Sequence, residues 1–330
     1  MSGVAPGGGA PLGGAPGGDA PVVEVRGLDF RYRPGERLAL RDVRLTVARG
    51  SRCLLLGRNG AGKTTLLRVL GGRHLVDPDV VRVLGRPAFH DTSLAGRVAL
   101  LGGEFPFRVD VRVGEILGRV SAADLRPPTV ALPREESQAC VTGASAGGLR
   151  PPERGGERAQ RASQPAAGLA EAGSPPRRVR GGASGSEPPP RSETARRDRL
   201  VEILGVDRDW HMDQVSAGQR RRVQLLLGLL HPAEVLLLDE VTSDLDLLAR
   251  ADLLAFLRAE SDRGATLLYA THVLDELEDW ATHLVLMEDG GVRRHEALAD
   301  VGELAALRSA KVGSPLTRLA LSWLRPPPRP

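Results

Sequence analysis

The sequence predicts an α/β fold with a parallel sheet at its centre, and three observations carry that reading. Short uninterrupted apolar runs, RCLLLG (52–57) and VLLLD (235–239), have the length of strands covered on both faces, and ATLLYAT (265–271) and HLVLMED (283–289) read as two more. Periodic stretches at LLARADLLAFLRAE (247–260) and HVLDELEDWA (272–281) are expected helices placed before and between the last two strands. Strand and helix in alternation imply crossovers onto a parallel sheet. The third observation is a glycine-rich loop that joins the first apolar run directly to a helix-like stretch.

In chain order, residues 1–21 come first, with eight Gly and four Pro, and are expected to form a disordered tail. VVEVRGLDFRY (22–32) and LALRDVRLTVARG (38–50) alternate apolar and polar residues, as half-buried antiparallel strands do. The strand RCLLL, its loop and the helix-like LLRVLGG follow. Residues 127–196 contain 11 Pro and 10 Gly but only six Val or Leu, too little apolar surface to offset the entropy of ordering them. They are expected to be a disordered, low-complexity insertion. The ordered chain is thereby divided into 22–126 and 197–296, with 297–330 expected to add a helical extension and a Pro-rich tail. Removing the 70 and 21 low-complexity residues from 330 leaves 239, the size of one α/β domain.

Composition narrows the partners. The net charge is +4, but residues 127–196 alone hold ten Arg against seven Glu, so the rest is nearly balanced. Aromatics make up 3%, which offers little for base stacking and argues against nucleic acid as a direct ligand. No run reaches the ~18 uninterrupted apolar residues of a membrane helix. The N-terminus lacks the basic start and apolar run of a signal peptide. The chain is therefore expected to be soluble and cytoplasmic, with PPRRVR (175–180) a nuclear-import hint. Cys53 and Cys140, one in a buried strand and one in the low-complexity stretch, are expected to form neither a disulfide nor a metal cluster.

Only two of the 45 basic residues are lysine, Lys63 and Lys311. A chain so biased to arginine retains Lys63 inside the glycine-rich loop, which suggests a need for a compact point charge there. The loop, Gly57-Arg58-Asn59-Gly60-Ala61-Gly62-Lys63-Thr64-Thr65, matches G-x-x-x-x-G-K-[ST] in the strand–loop–helix setting that pattern requires. Its backbone N–H groups and the helix N-terminus would wrap a β-phosphate, Lys63 would reach the β- and γ-phosphates, and Thr64 would ligate Mg²⁺. Asp239 and Glu240 close the strand VLLLD at its carboxyl end, where ligands of such sheets bind. Asp239 suits a Mg²⁺ role and Glu240 could polarise an attacking water. His272, after ATLLYAT, would arrive at the same edge. Tyr32 could stack on an adenine or fill the core, Asp246 could be a helix N-cap, and Ser216 in VSAGQRRRVQ (215–224) is most simply one as well.

GRNGAGKTT, VSAGQRRRVQ, VLLLDE, SDLD and ATH, in that order, resemble the Walker A, signature, Walker B, D-loop and H-loop of ABC-type ATPases. GGRHLVDPDVVRVLGRPAFHDTSL (71–94), QRRRVQLLLGLLHPAEVLLLDE (219–240) and LEDWATHL (277–284) resemble more narrowly the soluble ABC ATPases of plant subfamily I and the fungal ATPase associated with the CCR-NOT complex. The resemblance implies a P-loop NTPase fold of ABC type, with a RecA-like parallel core, an antiparallel β subdomain and a small helical subdomain. It implies ATP as ligand, Tyr32 as the adenine-stacking aromatic, Asp239 as Walker B aspartate, Glu240 as catalytic glutamate and His272 as switch histidine. It also places Ser216, Gly218, Gln219 and Asp246 against the nucleotide of a second copy, in a homodimer or a heterodimer with a related ATPase.

Three positions depart from the family's pattern. Ala217 stands where most signatures have glycine, Asp244 where D-loops have alanine, and ALLGGEFPFR (99–108) places Gly103 and Glu104 where transporters carry a Q-loop glutamine. The last puts coupling to a membrane subunit in doubt. The arginines after the signature are expected to form a solvated or subdomain-contacting face. Three functions compete: an ATPase powering or regulating a cytosolic or nuclear complex, an ATP-binding scaffold of a gene-expression complex with little turnover, and the ATPase subunit of a multi-subunit transporter.

Overall fold

The computed structural model describes residues 20–103, 110–119, 193–274 and 276–325. The expected tail up to residue 19, Glu104 with the rest of 104–109, the expected insertion from 127 to 192 with Cys140, and the last five residues lie outside the described residues.

The chain opens with β1 (Val23–Phe30) and β2 (Leu40–Val47), paired antiparallel as their alternation predicts. β3 (Arg52–Leu56) runs through the glycine-rich loop into α1 (Lys63–Leu70). Two short strands, β4 (Val81–Val83) and β5 (Arg86–Pro87), extend the first sheet to the order β2-β1-β4-β5. β6 (Val98–Leu101), α2 (Val113–Arg119), α3 (Glu193–Leu204) and α4 (Ala217–Leu229) follow. The remaining elements are β7 (Val235–Asp239), α5 (Leu247–Asp262), β8 (Thr266–Ala270), β9 (His283–Glu288), β10 (Gly291–Ala297), α6 (Gly302–Ser309) and α7 (Pro315–Leu324).

The second sheet has the order β10-β9-β3-β8-β7-β6, and every pairing in it is parallel except that of β10. Its continuous apolar runs have a direct reason. On β3, Leu54 and Leu56 enter one core while Cys53 and Leu55 enter another; on β7, Leu236 and Leu238 part from Val235 and Leu237 in the same way. Successive side chains point to opposite faces, so a strand between two cores must be apolar at every position. One core holds α3, α4 and α5, and the other holds α1 and the antiparallel sheet. Each fully buried Leu contributes about 1.5–3 kcal/mol. Burial also pushes the Cys53 thiol up to about 12, so it is an inert core residue.

Two expectations need correction. The described residues of HVLDELEDWA (272–281), all but Asp275, form bends and turns and not a helix: Glu276 has φ 68°, and the N–H groups of Leu277 and Trp280 reach back only three residues, to Leu274 and Leu277. Its apolar residues have helical spacing, but tertiary contacts use them otherwise. Trp280 buries its ring and donates Nε1–H to the Leu254 carbonyl of α5 at 3.0 Å. The chain is then pinned beside β3 by the Thr282 N–H on the Arg52 carbonyl. The second correction is the end of the low-complexity segment: residues 193–196 are already helical in α3. Arg196 is buried against Glu260, donates to the Leu229 carbonyl and lies 4.9 Å over the Phe256 ring. Composition could not distinguish this arginine from its nine solvated-looking neighbours, because the partners that make it a core residue lie 33 and 64 positions away.

Candidate functional site

The carboxyl edge of the parallel sheet is where the loops after β3, β7 and β8 converge. The loop after β3 must turn sharply, and Gly62 at the head of α1 has φ 99°. A Cβ there would lie 2.9 Å from both the Ala39 carbonyl and Leu40, so only glycine fits. Lys63 Nζ folds back onto the carbonyls of Gly57 (2.7 Å) and Arg58 (3.3 Å). Burial holds its ammonium below the ordinary lysine range, with Glu240 and Asp239 opposing that shift.

β7 delivers Asp239 opposite the loop, and the Thr64 hydroxyl donates to Asp239 Oδ1 at 3.1 Å. Burial raises the Asp239 carboxyl above its ordinary value, against the bond from Thr64. Two hard oxygens side by side, one a carboxylate short of positive charge, fit a divalent cation such as Mg²⁺. Glu240, the next residue, adopts a left-handed φ of 51°. A non-glycine residue there costs about 1–2 kcal/mol and needs outside support. Its N–H donates to the Ala270 carbonyl (2.9 Å), and its carbonyl accepts from the Ser243 hydroxyl (2.9 Å). The conformation aims its carboxylate at His272, whose Nδ1 lies 2.9 Å from Oε2, with the His272 ring largely exposed.

Between these groups lies a cleft of about 450 Å³ lined by Asn59 to Thr65 together with Tyr32, Ala39, Asp239 and Glu240. Tyr32 is 48% exposed, which removes the core-filling alternative. Its ring is held edge-on by Phe30 (5.2 Å) and His74 (5.3 Å), and its hydroxyl bonds Thr65 Oγ1 at 2.9 Å. Ser216, Gly218, Gln219 and Asp246 do not line this cleft. Ser216 and Gln219 form a reciprocal capping box on α4: the Gln219 N–H donates to the Ser216 hydroxyl (3.2 Å) and the Ser216 N–H to Gln219 Oε1 (2.9 Å). Asp246 caps α5 through the Ala249 N–H at 2.9 Å and accepts from Arg222 at 3.3 Å.

This geometry coincides with a family match. Residues 40–243, well over half the chain, fit the ABC transporter family model. The chain belongs to the ABC transporter family. Among its relatives are ABC transporter I family member 20 of Arabidopsis thaliana, 38% identical over 92% of this chain and 76% of that protein, and CCR4-associated factor 16 of Saccharomyces cerevisiae, 32% identical over 82% and 76%. The fold matches the ATP-binding subunit of an ABC transporter with a TM-score of 0.59 at 19% identity, covering 91% of this chain and 98% of that one. It also matches a dimeric ATP-binding cassette bound to ADP and Pi, with a TM-score of 0.53 at 17% identity, covering 84% and 98%. As an ABC-family chain it has a P-loop α/β cassette, and among the described residues no helix is long and apolar enough to cross a membrane.

Sequence reasoning missed one residue at this edge. Arg221, the middle arginine of the signature run, is half-buried, with hydrogen bonds to the Gly103, Asp239 and Glu240 carbonyls, so of the two faces expected for this run it belongs to the contacting one and not the solvated one. Nothing local separates it from Arg220, which turns back to the Val215 carbonyl, or Arg222, which goes to Leu204 and Asp246.

Proposed function

We propose that this ABC-family chain is an ATPase that binds Mg-ATP in the cleft and hydrolyses it when two copies, or this chain and a related ATPase, pair head to tail. The observation that carries the reading is the convergence of Lys63, Thr64, Asp239 and Glu240 on one cleft, with His272 behind Glu240, from loops far apart in the chain. The Asn59–Thr65 loop N–H groups and Lys63 bind the β- and γ-phosphates; Lys63 exchanges its two loop carbonyls for phosphate oxygens, with which it recovers an anionic partner. Thr64 and Asp239 are the residues that hold Mg²⁺, which when bound neutralises charge on the phosphate oxygens. Glu240 takes a proton from a water as its oxygen bonds the γ-phosphorus and the bond to the β-phosphate oxygen breaks, giving ADP and phosphate. His272 holds Oε2 so that the carboxylate keeps its direction. Tyr32, presented by Phe30 and His74, stacks on the adenine.

The second copy supplies the exposed α4 N-terminus, with the Ser216 hydroxyl and Gly218 N–H on the γ-phosphate and Gln219 and Asp246 nearby. The dimeric cassette it resembles in fold supports this pairing. The name of the yeast relative, a CCR4-associated factor, supports a role in powering or regulating a gene-expression complex rather than one membrane pore. A Glu240→Gln chain is expected to accumulate as an ATP-bound dimer in analytical ultracentrifugation. If it stays monomeric at saturating ATP, the paired site is wrong.

A further inference from the structure

Arg221 sits on the second turn of α4, just beyond the capping box. Its Nη1 donates to the Gly103 carbonyl at 2.9 Å and to Gln224 Oε1 at 2.9 Å, while Nη2 donates to the Asp239 carbonyl at 2.9 Å and, at 3.4 Å, to that of Glu240. One guanidinium thus joins three pieces of chain: α4, the segment after β6, and the peptide between the two carboxylates of the cleft. β6 comes close there, since a Cβ on Gly102 would lie 2.5 Å from Asp239 Cβ. Gln224 backs the fork and reaches the Gly102 carbonyl at 3.5 Å.

The Arg221 Nε is buried without a hydrogen-bond partner, and burial holds the guanidinium below its ordinary pKa. A buried unmet donor costs about 1–3 kcal/mol, which offsets part of what the four donated hydrogen bonds contribute. What the fork supplies is geometry. Glu240 has a left-handed backbone, and Arg221 holds the carbonyls on both sides of its Cα, those of Asp239 and of Glu240 itself. Two departures from the family pattern bear on this residue, one by charge and one by contact. Asp244, in the D-loop, is the foremost negative charge favouring the charged guanidinium, and Gly103 stands where the Q-loop glutamine is absent.

We propose that Arg221 is a positioning residue: it ties the signature helix to the Glu240 peptide, so that seating α4 on a partner's nucleotide aligns the hydrolytic carboxylate in its own cleft. This rests on the ATPase reading above. It gives the chain an internal link between its two half-sites that does not pass through a Q-loop glutamine.

The test uses the full chain, with equilibrium binding of a fluorescent ATP analogue and steady-state hydrolysis measured on wild type, Arg221→Lys and Arg221→Gln. Lysine keeps the charge but lacks the planar fork that reaches two carbonyls at once, so it is expected to fail nearly as fully as glutamine. The expected result is a kcat lower by about tenfold or more with nucleotide affinity within about twofold of wild type. A kcat retained within about twofold in Arg221→Lys, or a kcat loss matched by an equal loss of affinity, overturns the proposal. Wild type that binds nucleotide without turnover overturns the ATPase reading and this inference with it; normal wild-type turnover with an indifferent Arg221 overturns this inference alone.

Discussion

The two halves of the site are built in opposite ways. In the cleft, Lys63 and Asp239 are both partly buried and both displaced by burial towards their neutral forms, and Lys63 makes do with loop carbonyls. At the α4 N-terminus, Ser216 and Gln219 satisfy each other's backbone groups in an exposed capping box, and Asp246 caps α5. The cleft carries electrostatic cost that a bound metal and polyphosphate would relieve, whereas the signature is satisfied before anything binds. On the proposed reading, such a site would bind nucleotide first on the side that carries the cost. The side that is already hydrogen-bonded would then be added from a partner at little conformational cost.

The contrast can be broken experimentally, beginning with its largest consequence. Lys63→Ala removes the cleft's compact charge and is expected to weaken ATP binding about a hundredfold in calorimetric titration, the upper range for a hydrogen bond to a charged group. Affinity retained within a few-fold would mean that the phosphates lie elsewhere.

Ser216→Ala acts on the other half. It is expected to cost about 1 kcal/mol of stability through the lost cap and to slow hydrolysis about tenfold, while ATP binding to the single chain stays unchanged. Should ATP affinity of the isolated chain fall instead, the signature would be serving its own cleft.

The smallest effect concerns Asp239 in the nucleotide-free chain. Its folded pKa lies above its unfolded one, so the folded state binds more protons in the window between them. Stability therefore falls as pH rises from the ordinary carboxylate pKa through the raised value. Asp239→Asn is expected to hold or raise the nucleotide-free melting temperature while abolishing the stabilisation that Mg-ATP gives. A lower melting temperature without nucleotide would show that the carboxylate is structural.

The parts of this protein legible in the sequence were those whose chemistry is local. The glycine-rich loop and the Ser216 cap work through groups within a few residues, so their spacing announces them, and the Asp239-Glu240 pair showed as two acids closing an apolar run although its partners Thr64 and His272 lie far along the chain. The strands were legible too, because a strand between two cores must be apolar throughout and one with a single wet face must alternate. What only the tertiary structure decided involved partners far along the chain. Identical arginines in one run point to the Val215, Asp239 and Leu204 carbonyls, and only the packing of α4 on the β6–β7 edge sends the middle one to the Asp239–Glu240 peptide. The apolar spacing of 272–281 promised a helix, yet Trp280 packs on α5 and Glu276 turns left-handed instead. Short-range hydrogen bonding is encoded where it acts, while the direction of a long side chain or the fold of a short segment is settled by whatever the rest of the chain brings against it.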